Sequence, residues 1–250
     1  MTGDDLVHLG YSRAMAERVL NLLKEESQLA WYLSRGKRSG CVPVTRVTDG
    51  YPQRLREGMG LDAPGCLWAK GDISLLDKPA IALVGSRELE EKNRQFAWEA
   101  GRQAARQGYV LVSGNAKGAD REAQQACLQA GGQVISVLAD ELAEKPLIPG
   151  ILWLSEDGYD QAFSAQRALS RNRVIHCLGQ VTLVAQCTLG KGGTWDGTLK
   201  NLHHGYSLVC CFDDGSAAMK ELIQRGAVSV KMEQLENLAA LQKEQQNLFE

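Results

Sequence analysis

The sequence predicts an α/β fold: a doubly wound, mostly parallel sheet with a small N-terminal helical extension. The chief observation is that short continuous apolar runs alternate with longer amphipathic stretches from Pro79 onward. Buried parallel strands covered on both faces by helices read in that way. The second is that the apolar runs end in glycine turns, which suits a Rossmann-like crossover series of right-handed units. The third is composition: 250 residues, 44% hydrophobic and 23% charged, are enough for one full α/β domain and a small appendage, not for a disordered chain.

In chain order, residues 1–40 form the helical extension, with Leu6, Leu9, Met15, Val19, Leu20, Leu22 and Leu23 at helical intervals and Ser12 as an N-cap. The basic, Gly/Ser-punctuated residues 34–40 suit a linker or a surface loop. Residues 41–230 form the core domain. Its strands are predicted at 80–84, 109–112, 133–138, 151–154, 181–185 and 207–212. Helices are predicted at about 88–106, 118–130, 162–178, 195–204 and 216–225. Residues 231–250 close the chain as an amphipathic helix, with Met232, Leu235, Leu238 and Leu241 three residues apart.

Several classes of function are excluded early. No apolar run reaches the roughly 18 residues of a membrane-spanning helix, and the acidic N-terminus lacks signal-peptide order. Seven cysteines without CxxC spacing speak against a disulfide framework or a zinc site and for a reducing cytoplasm. The four histidines have no metal-ligand spacing, so neither a metal nor another cofactor is expected, and no catalytic set is assigned. A net charge of -2 means that any nucleic acid must be held by a local basic patch, not by bulk charge.

Three glycine turns supply such a patch. Gly85-Ser86-Arg87 follows the first core strand, Ser113-Gly114-Asn115-Ala116-Lys117-Gly118 the second, and Lys191-Gly192-Gly193-Thr194 comes after the strand at 181–185. In a parallel sheet these turns gather at one rim, where helix N-termini and the cations Arg87, Lys117 and Lys191 suit a phosphate. No turn reads GxxxxGK[ST] or a complete dinucleotide fingerprint. Arg167, Arg171 and Arg173 on the helix at 162–178 add guanidiniums. Phe163, with Arg167 and Arg171, falls at i, i+4, i+8, so Phe163 and also Trp195 are candidate base-stacking rings.

These motifs, in this order, resemble the DprA/Smf family of DNA-processing proteins over about residues 40–230. The resemblance rests on Tyr51-Pro52-Gln53-Arg54-Leu55, Pro64-Gly65-Cys66-Leu67, Val84-Gly85-Ser86-Arg87, the turn from Ser113 to Asp120, and Arg171-Asn172-Arg173-Val174-Ile175. It implies a Rossmann-like core with a basic pocket for single-stranded DNA, dimerisation, loading of a RecA-type recombinase, and no chemical step. The chain departs from the family in having Ala123-Gln124 where Ala-His is common and Gly192-Gly193-Thr194-Trp195-Asp196-Gly197-Thr198 late in the core, with no winged-helix segment after it. The Gly192 stretch is also similar to the LOG-type phosphoribohydrolase motif, with Gly197 at the glutamate position and Asp196 one residue short. A nucleotide-binding or hydrolase relative is therefore the alternative, and an interaction module without a ligand the remaining one.

Overall fold

The computed structural model describes residues 2–8 and 10–241. Three helices open the chain: α1 (Gly3–His8), α2 (Arg13–Leu23), capped by the Ser12 hydroxyl, and α3 (Glu26–Arg38). Then follow β1 (Val42–Thr45), α4 (Gln53–Met59), β2 (Cys66–Lys70), β3 (Ala80–Val84), α5 (Glu91–Arg106), β4 (Val110–Ser113), α6 (Ala119–Gln129) and β5 (Gln133–Val137). The chain continues through β6 (Ile151–Ser155), α7 (Ala165–Ser170), α8 (Asn172–Leu178), β7 (Val181–Val184), α9 (Gly193–His204), β8 (Leu208–Phe212), α10 (Ala217–Gln224) and β9 (Val228–Val230).

The strands form one sheet in the order β1-β2-β6-β5-β4-β3-β7-β8-β9. Pairing from β6 to β9 is parallel throughout, while β1 and β2 attach antiparallel at the β6 side. The mostly parallel Rossmann-like sheet expected from the apolar runs is therefore present. Every residue of β3, β4, β6 and β7 is buried, as strands covered on both faces must be. Period-two alternation divides β3 between two cores. Ala80, Ala82 and Val84 face the side of α4, α8, α9 and α10, and Ile81 and Leu83 face the side of α5 and α6.

Chain direction puts the site where it is. The chain winds from β3 outward through β4, β5 and β6, then returns to place β7 on the other flank of β3. The carboxyl ends of β3 and β7 thus border the crevice where strand order reverses, the place where open α/β sheets bind ligands.

Four expectations change. Residues 34–40 are not a linker: α3 runs through Arg38 and docks on the sheet edge. Gly36 is buried so closely that a Cβ there would stand 2.8 Å from Trp68 and 2.9 Å from Tyr159. The antiparallel strands β1 and β2 were not foreseen. The helix expected at 162–178 is two helices that meet at Arg171, with Ser164 capping the first. Phe163 therefore precedes α7 and shares no helical face with Arg167 and Arg171. Lastly, the terminal segment begins as a 3-10 turn at Met232–Asn237 and is helical at 238–241, burying Leu235, Leu238 and Leu241. Three-residue spacing matches the three residues per turn of a 3-10 helix. The remainder of that expectation, residues 242–250, lies outside the described residues.

Among the described residues no helix is long and apolar enough to cross a membrane, and no group of three His, Cys, Asp or Glu could hold a metal ion. Among the described residues, none of the seven cysteines is in a disulfide.

Candidate functional site

Direct bonds tie the three glycine turns together. The backbone N–H of Ala119, at the end of the second turn, donates to Ser86 O of the first at 3.2 Å. Thr194 Oγ1, in the third, donates to Gly85 O at 3.0 Å. The first turn is also fixed to the end of β7, since Ser86 donates to Gln186 O through its N–H at 2.8 Å and its hydroxyl at 3.2 Å. Glycine is required where these segments cross. Gly118 has φ +85°, and a Cβ there would lie 2.4 Å from Ser86 O and 2.5 Å from Arg87 O. A Cβ on Gly85 would meet Ala119 Cβ at 2.4 Å.

The crevice between β3 and β7 holds a half-enclosed cavity of about 630 Å³. Of the residues singled out in the sequence, Gly85, Ser86, Arg87, Arg171, Lys191, Gly192, Gly193 and Thr194 line it. Arg87 and Lys191 are exposed and form no ion pair among the described residues. Gly192 precedes α9 and offers no side chain to cap it, so the N–H groups of that first turn are open to an anion.

Arg171 is the central charge. It sits at the α7/α8 junction with 7% of its surface exposed. Its Nη2 donates to Gly114 O at 3.0 Å, while its Nε is buried without a partner. The guanidinium lies against the second turn so closely that a Cβ on Gly114 would fall 1.7 Å from Nη1. Burial pushes this guanidinium below its ordinary value, with Asp120 opposing the shift. Asp120 is buried on α6 and accepts from the N–H groups of Gly114 and Ala116, both at 3.1 Å. Its carboxyl is raised by burial, against the pull of Arg171 and those two N–H groups. The two charges form no direct ion pair within 4.0 Å, so the buried cation lacks a contacting counter-charge.

The other candidates fall elsewhere. Lys117 is exposed on the second turn, outside the cavity lining, and Ser113 lies buried behind it, accepting from Gln124 Nε2 at 2.5 Å. Gln124, which stands where the family commonly has histidine, also reaches Ser136 at 3.3 Å and so ties β4 to β5. Arg167 is engaged by Asp157 at 2.6 Å and by the carbonyls of Ala139, Gln161 and Ala162. Arg173 bonds Glu156 at 2.9 Å and the Asp62 carbonyl, away from the cavity. Phe163 is 59% exposed but does not line the cavity. Trp195 is buried in the core at 7% exposure, so the expectation that it stacks a base is not met. Asp196, the carboxylate nearest the hydrolase motif, pairs with Lys200 at 3.7 Å on the surface and does not line the cavity.

Sequence reasoning passed over His176, Gln186 and Thr188, all in the lining. Gln186 and Thr188 follow β7, so the reversal of strand order was the signal for them. His176 is buried; its Nδ1 accepts from Asn201 Nδ2 at 3.1 Å. The Ser207 N–H, donating to Asn201 Oδ1 at 3.0 Å, fixes that amide's orientation.

Comparison with known proteins follows the same residues. Residues 43–241 match the family described as DNA recombination-mediator protein A. The chain is 33% identical over 194 residues to DNA processing protein DprA of Streptococcus pneumoniae, covering 72% of this chain and 68% of that protein. It superposes on the X-ray structure of DprA from Streptococcus pneumoniae with a TM-score of 0.77 at 28% identity, covering 96% of this chain and 86% of that one. A structure of DNA processing protein A from Helicobacter pylori, described for its unique single-stranded DNA binding mode, shares the fold. Its TM-score is 0.65 at 22% identity, with 83% of this chain and 96% of that one covered.

Proposed function

The chain belongs to the DNA recombination-mediator protein A family, and on that premise we propose that it binds single-stranded DNA at the carboxyl rim of its parallel sheet as a recombination accessory protein. Phosphate is held by Arg87, Arg171, Lys191 and the first turn of α9, and the strand passes Lys117 on the neighbouring turn. One observation carries the reading: the guanidinium of Arg171 is buried in the crevice with no contacting carboxylate and an unpartnered Nε. A buried charge without a counter-charge is costly, and an oxyanion that accepts from it removes the cost. The Helicobacter pylori neighbour's described single-strand binding supports the choice of ligand. Dimerisation and delivery of the strand to a RecA-type recombinase belong to the same proposal. So does a cytoplasmic location, with which seven cysteines without a disulfide agree.

Titration of a single-stranded oligonucleotide and its duplex at several salt concentrations tests the assignment. Single strands bind more tightly, and affinity falls steeply with salt. Arg87→Ala and Lys191→Ala each flatten the slope of log K against log salt by about 0.7, the value for one lost single-strand phosphate contact. Unchanged slopes in both variants would remove the crevice from the interface.

A further inference from the structure

We propose that the crevice takes a terminal phosphomonoester, the phosphorylated end of a strand or of a nucleotide, in preference to a phosphodiester within a strand. This rests on the anion-binding reading above and names the form of the anion.

Depth is the first argument. Arg171 is more than nine-tenths buried at the α7/α8 junction, and it lines a half-enclosed cavity from that depth. A group entering end-on reaches that depth. An internal phosphodiester carries a sugar on each of two ester oxygens, and both chains must then leave through the same mouth.

Charge is the second. Three cations line the cavity beside two carboxylates, exposed Glu88 and buried Asp120, and none of the three cations has an ion-pair partner among the described residues. A phosphomonoester carries about -1.5 to -2 near neutral pH and offers three terminal oxygens. A diester carries one charge and offers two such oxygens. The donors converge from different elements: Arg87 after β3, Arg171 between α7 and α8, and Lys191 with the open α9 amides after β7. Three oxygens can meet three such directions at once.

The third argument is the exit. A Cβ on Gly192 would meet nothing within 4 Å, so the mouth beside Lys191 is open space. Lys117 stands exposed on the adjoining turn, outside the lining. A strand whose end sits in the crevice leaves along the rim past Lys117.

The test is an anisotropy titration with three labelled twelve-nucleotide thymidylate oligonucleotides: 5′-phosphorylated, 3′-phosphorylated, and with hydroxyl at both ends. Thymidine 5′-monophosphate serves as competitor. The expected result is at least tenfold tighter binding of one phosphorylated oligonucleotide than of the hydroxyl form. Lys191→Ala, a change on an exposed turn, should erase most of that advantage, and Arg171→Lys should do so if circular dichroism shows it folded. Equal affinity of all three oligonucleotides overturns the proposal and leaves single-strand binding standing. Binding of thymidine 5′-monophosphate with no oligonucleotide binding keeps the terminal phosphate but overturns the strand reading. No binding of any probe overturns both.

Discussion

At the scale of single residues, His176 couples the stability of the fold to pH. Burial, with Arg171 nearby, pulls its imidazole down to about 3 from an ordinary 6.5. Because Asn201 Nδ2 donates to Nδ1, a proton there would break the bond as well as bury a charge. Between the two values the unfolded chain binds a proton that the native chain does not. The stability His176 contributes is therefore complete above about pH 6.5 and is lost as pH falls toward 3. From pH 7 to pH 5 the loss from this residue is about 2 kcal/mol. Urea midpoints at the two pH values should show it, and His176→Gln should lack that part of the slope; an unaltered slope would disprove the assignment. Residue-level legibility was uneven. The glycine turns were readable because a turn at a strand end has few chemical solutions. Trp195 was misread, although Trp195, Leu199 and Leu202 at i, i+4, i+7 make one apolar stripe and all three pack in the core.

Among elements, the tightest joint is the crossing of α5 and α6. Ala97, Ala100, Gly101 and Ala104 pack with Ala119 and Ala123, and all are buried. A Cβ on Gly101 would lie 2.0 Å from the Ala123 carbonyl oxygen, backbone against backbone. Gly101→Ala must force the helices apart and should cost about 1–3 kcal/mol, an overpacking value. Chemical denaturation measures this, and because α6 begins at the second glycine turn, single-strand affinity should fall with it. A neutral substitution would show that the crossing relaxes freely. The buried strands of the core were legible as apolar runs. The strands β1 and β2 were not: β1 contains Pro43 and exposes two of its four residues, and β2 ends in a lysine, so neither reads as a continuous apolar run. The break at Arg171 was also hidden, because residues 162–178 contain neither Gly nor Pro to mark it.

For the whole molecule, the N-terminal extension is joined to the sheet through aromatic packing. Tyr159 is fully buried, donates its hydroxyl to Tyr32 O at 2.9 Å and packs its ring 4.6 Å from those of Tyr32 and Trp68. Tyr32 in turn donates to Asp160 at 2.7 Å. Tyr159→Ala should cost about 3–5 kcal/mol, the usual range for emptying a large aromatic site. It should also free α3, so trypsin should cut after Arg35, Lys37 or Arg38 sooner than in the parent chain. Equal cutting rates would mean that α3 is held by other contacts. The two ends of the sheet carry a last consequence. Pro43 leaves the outer strand β1 without one backbone N–H, and β9 at the opposite end is only three residues long. Neither margin is a good template for adding another strand. Copies of this chain should therefore meet through side chains on helices and loops, and a continuous intermolecular ladder is disfavoured from both directions.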